Sequence, residues 1–221
     1  MKKFLKKILF GQENREMIIC YGLARNIRMN IDPRSKTQRL LGLDEREIQK
    51  TFKTFARASE IFVDIGASDG YYGLMYYKLH PDGEIYLFDA GYAFAAEQKM
   101  NFERNGFSTN RLHNISKYVC DYSDETHAAL DTLLEQEPGV IFLKIDVDGG
   151  EMEVLKGVTK VLGTRTCKLI IETHSKELED QCLSLLLQLG YRTAIIPNAW
   201  WRFFVPEERP IAHNRWLRAE N

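Results

Sequence analysis

Between Ile61 and Asp89 the polarity pattern changes period twice. An apolar run (Ile61-Phe62-Val63) meets a turn, Asp64 to Gly70, that carries two glycines. A helical stretch follows, then the break His80-Pro81-Asp82-Gly83, then a second apolar run ending in Asp89. This predicts a strand–helix–strand unit of the kind that builds a nucleoside-binding crevice in an open parallel sheet. Upstream, Met17 to Tyr21 and Ile27 to Asp32 read as two strands. In the second, Ile27, Met29 and Ile31 alternate with Arg28, Asn30 and Asp32, the mark of a half-buried strand. A helix follows, with Asp44 and Glu47 placed for a capping box and Ile48, Phe52 and Phe55 on one face.

Downstream the alternation continues. A helix from about Ala93 to Arg104 stops at Asn105-Gly106, and Ile115 to Asp121 reads as a third strand. A further helix spans roughly Asp124 to Glu135. The run from Val140 to Ile145 is apolar enough for a central strand buried on both faces. Asp148 and Glu151 fit a capping box for a helix from Glu151 to Leu162. Cys167 to Ile171 forms a fifth strand, and the helix after it lines up Leu178, Cys182, Leu185 and Leu189. Tyr191 to Ile196 and Trp201 to Val205 suit a closing hairpin. The predicted fold is α/β: a doubly wound, Rossmann-like, seven-stranded and mostly parallel sheet with helices on both faces. It adds a C-terminal antiparallel hairpin and a short N-terminal β/α extension, dividing the chain into residues 1–57 and a main domain at 58–221.

Composition narrows the class. The 221 residues are 44% hydrophobic and 28% charged, ordinary values for a globular chain with a sizeable core. A net charge of -1 offers no general attraction to nucleic acid, so none is expected as a partner. The four cysteines form no CxxC pair, and three of them lie in apolar runs, as buried thiols in a reducing compartment do. Together with the lack of a membrane-spanning run this predicts a cytoplasmic protein. The first ten residues, MKKFLKKILF, would make a basic amphipathic helix suited to weak peripheral contact with a membrane surface. The plainer reading is a solvated first helix or a frayed terminus.

The chemistry gathers at the ends of the predicted strands. Gly66 and Gly70 let backbone approach a ligand closely, and Gly66, Ala67, Ser68, Gly70 and Tyr72 are the candidate cofactor-binding residues of the turn and helix start. Asp89 is placed to accept hydrogen bonds from both hydroxyls of a ribose, with Ala90 beside it. The dinucleotide pattern GxGxxG is absent, since Ser68 occupies its second glycine position. Asp64, two residues before Gly66, suits a ligand with positive charge near the turn, as in S-adenosylmethionine with its ammonium and sulfonium. Asp121 could meet an adenine amino group or cap the next helix. Lys144 and Asp146 interrupt the central apolar run near its C-terminal end, where charges need partners or water. Asp146 is therefore a second site candidate.

Three stretches resemble the FkbM-family methyltransferases, within the class I S-adenosylmethionine-dependent enzymes: VDIGASDGYYGLMYYKL (Val63 to Leu79), FLKIDVDGGEMEVLKG (Phe142 to Gly157) and LIIETH (Leu169 to His174). The upstream LLGLDEREIQKTF is similar to the segment before the first motif in that family. The chain departs from the family where Ser68 replaces the usual Asn, Asp89-Ala90 replaces Glu-Pro, and Asp148 replaces Glu. The resemblance implies S-adenosyl-L-methionine as cofactor and O-methylation, with an acceptor among sugars, other small molecules or glycans.

Methyl transfer from a sulfonium to an alcohol requires the hydroxyl proton to leave as the oxygen attacks, so a base is useful. His174, at a strand end beside acids, is the candidate base, with Asp146 orienting it or serving in its place. Asp146, Glu172 and His174 could alternatively hold Mg²⁺, but no tight ligand spacing favours a metal. A non-catalytic cofactor-binding module and a nicotinamide-dependent oxidoreductase are the other functional classes compatible with the same crevice.

Overall fold

The structure is a computed structural model that describes residues 14–199 and 213–221. Strands β1 (Arg15–Ile18) and β2 (Arg28–Ile31) pair antiparallel as a separate ribbon. Helices α1 (Thr37–Leu40) and α2 (Gln49–Arg57) lead into β3 (Ile61–Ile65), α3 (Tyr71–Leu79), β4 (Glu84–Phe88), α4 (Tyr92–Arg104) and β5 (Leu112–Ile115). The short strands β6 (Tyr118–Val119) and β7 (His127–Ala128) precede α5 (Leu130–Leu134), β8 (Ile141–Ile145), α6 (Glu151–Lys156) and α7 (Thr159–Thr164). The described chain ends with β9 (Cys167–Thr173), α8 (Lys176–Gln188), β10 (Arg192–Ile196) and β11 (Arg215–Glu220). The central seven-stranded sheet has the order β10-β11-β9-β8-β3-β4-β5, parallel from β9 to β5 and antiparallel where β11 inserts between β9 and β10. The doubly wound sheet is the one the hydrophobic pattern predicts.

Strand periodicity sorts the sheet's two faces. Ile141, Leu143 and Ile145 point into a core with Val154, Leu162, Leu169 and Leu217. The alternate residue Phe142 points into the other, with Phe62, Phe52 and Phe55 of α2, and Tyr72 and Tyr76 of α3. Phe52, Phe62 and Phe142 meet there at centroid separations of 5.1–5.5 Å, within the range of favourable ring pairs. On that same face the period-two rule carries β3 from Phe62 to Asp64 and β8 from Phe142 to Lys144 and Asp146. Polar groups thus line the C-terminal edge of an otherwise aromatic surface.

Several expected elements are shorter or shifted. The third central strand is β5, not Ile115 to Asp121; beyond Ile115 the chain turns and Tyr118–Val119 pairs with His127–Ala128. No helix begins at Asp124, because its carboxylate accepts the amides of Thr126 and His127, each at 2.7 Å, and closes a turn. The helix expected from Glu151 to Leu162 is split into α6 and α7. Gly157 sits at the break, where a Cβ would lie 1.9 Å from the carbonyl oxygen of Cys120. Neither capping box forms: α2 and α6 begin after Ile48 and Gly150 with no side-chain cap. Asp44 instead takes Arg39 Nε at 2.8 Å. The partner of β10 is β11; the expected strand Trp201 to Val205, like the basic segment Met1 to Phe10, lies outside the described residues.

Candidate active site

The turn between β3 and α3 is built from backbone. Gly66 and Gly70 adopt φ of 85° and 81°, and Ser68 between them adopts 45°. A Cβ on Gly66 would lie 1.9 Å from the carbonyl oxygen of Asp146, so only glycine lets β3 and β8 end this close together. The amides of Gly66 and Ala67 both reach Phe88 O at 2.9 Å, which pulls the turn over the end of β4. Asp89 is then fixed from two sides, accepting Ser68 N on Oδ2 and Gly91 N on Oδ1, each at 2.9 Å. A cavity of about 600 Å³ opens beside it. Gly66, Asp89, Ala90, Val119, Cys120 and Asp146 are among its walls. Its size suits a nucleoside-containing ligand.

The remaining candidates of the turn lie elsewhere. Ala67 is buried, and Ser68 gives its carbonyl to Gln98 Nε2 at 2.8 Å. Asp121 is exposed and outside the cavity wall, although its neighbours Val119 and Cys120 line it. Tyr72 faces away from the cavity: its hydroxyl donates to Glu45 and Lys144 Nζ stands 4.6 Å over its ring. Asp64 is 1% exposed and faces Lys144 Nζ at 3.6 Å, its register partner on β8. Burial pushes Asp64 up to about 6 in spite of Lys144.

A second cluster occupies the adjoining edge of β8 and β9. Lys144 Nζ lies 3.3 Å from Asp146 Oδ2, and Asp146 and Asp64 keep it an ammonium against the cost of burial. His174 follows the end of β9 with its side chain 8% exposed. Its Nδ1 meets Glu151 Oε1 at 2.5 Å, and its Nε2 faces Asp148 Oδ1 at 3.3 Å, Glu172 Oε2 at 3.8 Å and Asp146 Oδ1 at 4.0 Å. Burial opposes a charge on the ring, but Glu151 and its neighbouring acids outweigh that and raise the imidazole above its ordinary value. Burial, with the hydrogen bond its protonated carboxyl donates to Asp146, drives Glu172 upward, while Asp146 is held down by Lys144 and that same hydrogen bond despite its own burial.

The structure thus brings together Asp146, Glu172 and His174, and it adds residues that the sequence did not single out for the site. Glu151 supports the imidazole in place of capping a helix. Lys144 was visible only as an interruption, yet its two-residue spacing from Asp146 puts both on one strand face. Asp69 is 2% exposed and takes both Lys36 Nζ and Arg39 Nη1 at 2.6 Å, which ties the N-terminal segment to the glycine turn. A second acid inside that turn was the available signal.

Comparison with known proteins agrees with this architecture. Residues 101–193 match the model of the Methyltransferase FkbM domain, a span that includes the middle motif and His174. An FkbM methyltransferase from Methylobacillus flagellatus KT superposes with a TM-score of 0.58 at 17% identity, covering 73% of this chain and 44% of that one. A Streptococcus mutans protein solved in complex with SAH gives 0.55 at 11% identity, covering 80% and 98%. An rRNA methylase from Streptococcus thermophilus gives 0.54 at 14% identity, covering 80% and 96%. No curated protein matches the chain in sequence. This chain therefore has the fold of the S-adenosylmethionine-dependent methyltransferases and, over residues 101–193, matches the FkbM methyltransferase domain.

Proposed function

We propose that this protein transfers the methyl group of S-adenosylmethionine to a hydroxyl oxygen of a sugar, glycan or other small acceptor. The observation that carries this reading is the juxtaposition at Gly66. On one side Asp89, held by two backbone amides, faces a cavity of about 600 Å³. On the other, Asp146 and His174 stand at the strand ends where the acceptor would approach. Asp89 would bind the ribose hydroxyls, Ala90 and Gly66 would flank the nucleoside, and Asp146 and His174 would handle the acceptor's proton. In the transfer the S–CH₃ bond breaks as the O–CH₃ bond forms, and the hydroxyl proton leaves to this cluster. Holding both reactants at near-attack geometry contributes on the order of 7–11 kcal/mol.

The net charge of -1 favours a small acceptor over a nucleic acid. Among the described residues no helix is long and apolar enough to cross a membrane. A titration decides the cofactor. S-adenosylhomocysteine should bind the wild type, NADH should not, and Asp89→Ala should weaken the first by about 1–3 kcal/mol, because the ribose loses a charged acceptor. Unchanged affinity in Asp89→Ala removes the ribose assignment. Transfer of label from S-adenosylmethionine into a panel of sugars, glycans and RNA then tests the acceptor, and labelling of RNA alone would overturn the small-acceptor reading.

A further inference from the structure

The imidazole of His174 is held from behind by one carboxylate and faces further acids in front. Its Nδ1 meets Glu151 Oε1 at 2.5 Å, and Glu151 is fully buried at the start of α6. A carboxylate on Nδ1 fixes the neutral ring as the tautomer with its proton there, which turns the bare Nε2 lone pair the other way. That Nε2 is buried and, among the described residues, makes no hydrogen bond. It looks onto oxygens of Asp148, Glu172 and Asp146 at 3.3, 3.8 and 4.0 Å. A bare lone pair aimed at carboxylate oxygens is repulsive unless a positive charge, carried by a proton or by a cation, stands between them.

Lys144 does not supply that charge. It meets Asp146 through Oδ2 and Asp64 through Oδ1, and it rests over the Tyr72 ring. Asp146 Oδ1, the oxygen turned toward His174, lies on the other side of the same carboxylate. One donor atom from each of Asp146, Glu172 and His174 lies within 4.8 Å of the others. Separations of 3.8 and 4.0 Å bracket an ion bound at about 2.1 Å from each atom. A carboxylate that orients a histidine whose other nitrogen faces further acids is the arrangement found around protein-bound metal ions.

We propose that Asp146, Glu172 and His174 bind a divalent first-row transition ion. One imidazole nitrogen among carboxylate oxygens suits Mn²⁺ better than Mg²⁺, which prefers an all-oxygen octahedral shell. Asp148 is near enough to add a fourth ligand. The ion's binding depends only on these residues. Its use, to polarise an acceptor hydroxyl at this edge, rests on the methyltransferase reading above; with the ion on Nε2, His174 serves as a ligand and the hydroxyl proton passes to a carboxylate oxygen of the cluster.

The test uses the full chain, dialysed against EDTA and titrated with Mn²⁺ by calorimetry and by the loss of the free-ion paramagnetic resonance signal. One Mn²⁺ should bind per chain, and Mg²⁺ should compete weakly. Glu151→Gln should lower Mn²⁺ affinity by about 10–100-fold, as loss of an outer-shell partner does, and His174→Ala by more. Pulsed resonance on the Mn²⁺-loaded wild type should show coupling to one histidine ¹⁴N, a readout that needs no variant to fold. No Mn²⁺ binding by the wild type, equal affinity in His174→Ala, or bound Mn²⁺ without nitrogen coupling would each overturn the inference and leave a proton as the charge facing Nε2. S-adenosylhomocysteine is titrated in parallel. Its failure to bind while Mn²⁺ still binds would sink the methyltransferase reading and leave the cation site standing.

Discussion

Two regions meet at the C-terminal edge of the sheet, and they are made in different ways. The crevice beside Asp89 is a backbone construction. Glycine geometry shapes it, main-chain amides hold its one key carboxylate, and about 600 Å³ is left open. The cluster around His174 is a side-chain construction. Lys144, Asp146, Glu172 and His174 come from two strands and Glu151 from a helix, and these groups are largely withdrawn from water. A site made of backbone tolerates change at its side chains except where a Cβ would collide. A site made of interlocking charges tolerates little, because removing one member leaves another uncompensated.

The largest effect should come from breaking the side-chain region. Once an acceptor is in hand, His174→Ala should bind S-adenosylmethionine near normally and lose turnover by about 10²–10⁴-fold. Asp146→Asn should lose a similar amount, and the double variant little more, since residues acting as a unit are not additive. Losses that multiply in the double variant would show that the two act independently. Breaking the backbone region takes a single methyl group. Gly66→Ala places a Cβ against the Asp146 carbonyl at a φ of 85°, and should cost about 3–5 kcal/mol of stability in urea denaturation together with S-adenosylhomocysteine binding.

The difference also explains what could be read in advance. The glycine turn at Gly66 and Gly70 and the place of Asp89 after β4 were legible because this part of the fold is local: a turn and the strand after it, spaced by one helix. The seven-stranded sheet was legible for the same reason, through apolar runs separated by helical periods. The support that Glu151 gives His174 was not, since Ser-, Asp- or Glu-rich turns before a helix signal a cap in sequence. Only the packing of α6 on β9 turns that glutamate inward. The Tyr72–Glu45 contact was equally hidden, because Glu45 reaches it through a turn with φ of 43°. Asp124 misled in the opposite sense, as its carboxylate closes a turn where a helix start was expected.

A smaller effect sharpens the comparison where the two constructions are tied to the N-terminal segment. Arg39 and Lys36 outweigh the burial of Asp69 and hold its carboxyl below the usual range. Its contribution to stability is therefore complete above the ordinary carboxylate pKa and disappears as pH falls through the lower folded value. Asp69→Asn should cost about 2 kcal/mol near neutrality, discounted because Lys36 is 38% exposed. The gap in melting temperature between wild type and variant should narrow as pH falls below about 4 and close once pH passes the lower folded value; a gap that does not narrow would show that the aspartate acts by shape and not by charge. The smallest effect is expected from deleting Met1 to Phe10, which should leave S-adenosylhomocysteine affinity unchanged. Salt-sensitive sedimentation with anionic vesicles that disappears on deletion would assign the segment to a membrane surface.

The contact between Gly66 and the Asp146 carbonyl has a thermodynamic consequence. The same few atoms of main chain end the strand that carries the glycine turn and the strand that carries the charged cluster, with Asp146 N bonded to Ile65 O at 2.9 Å. A ligand that shifted one strand end would act on main chain that the other end shares. Linkage then works in both directions: whatever factor a cation adds to the grip on S-adenosylhomocysteine, the nucleoside must return to the cation. Two titrations, each run with the other ligand absent and then saturating, would close that cycle and measure the coupling between the two strand ends.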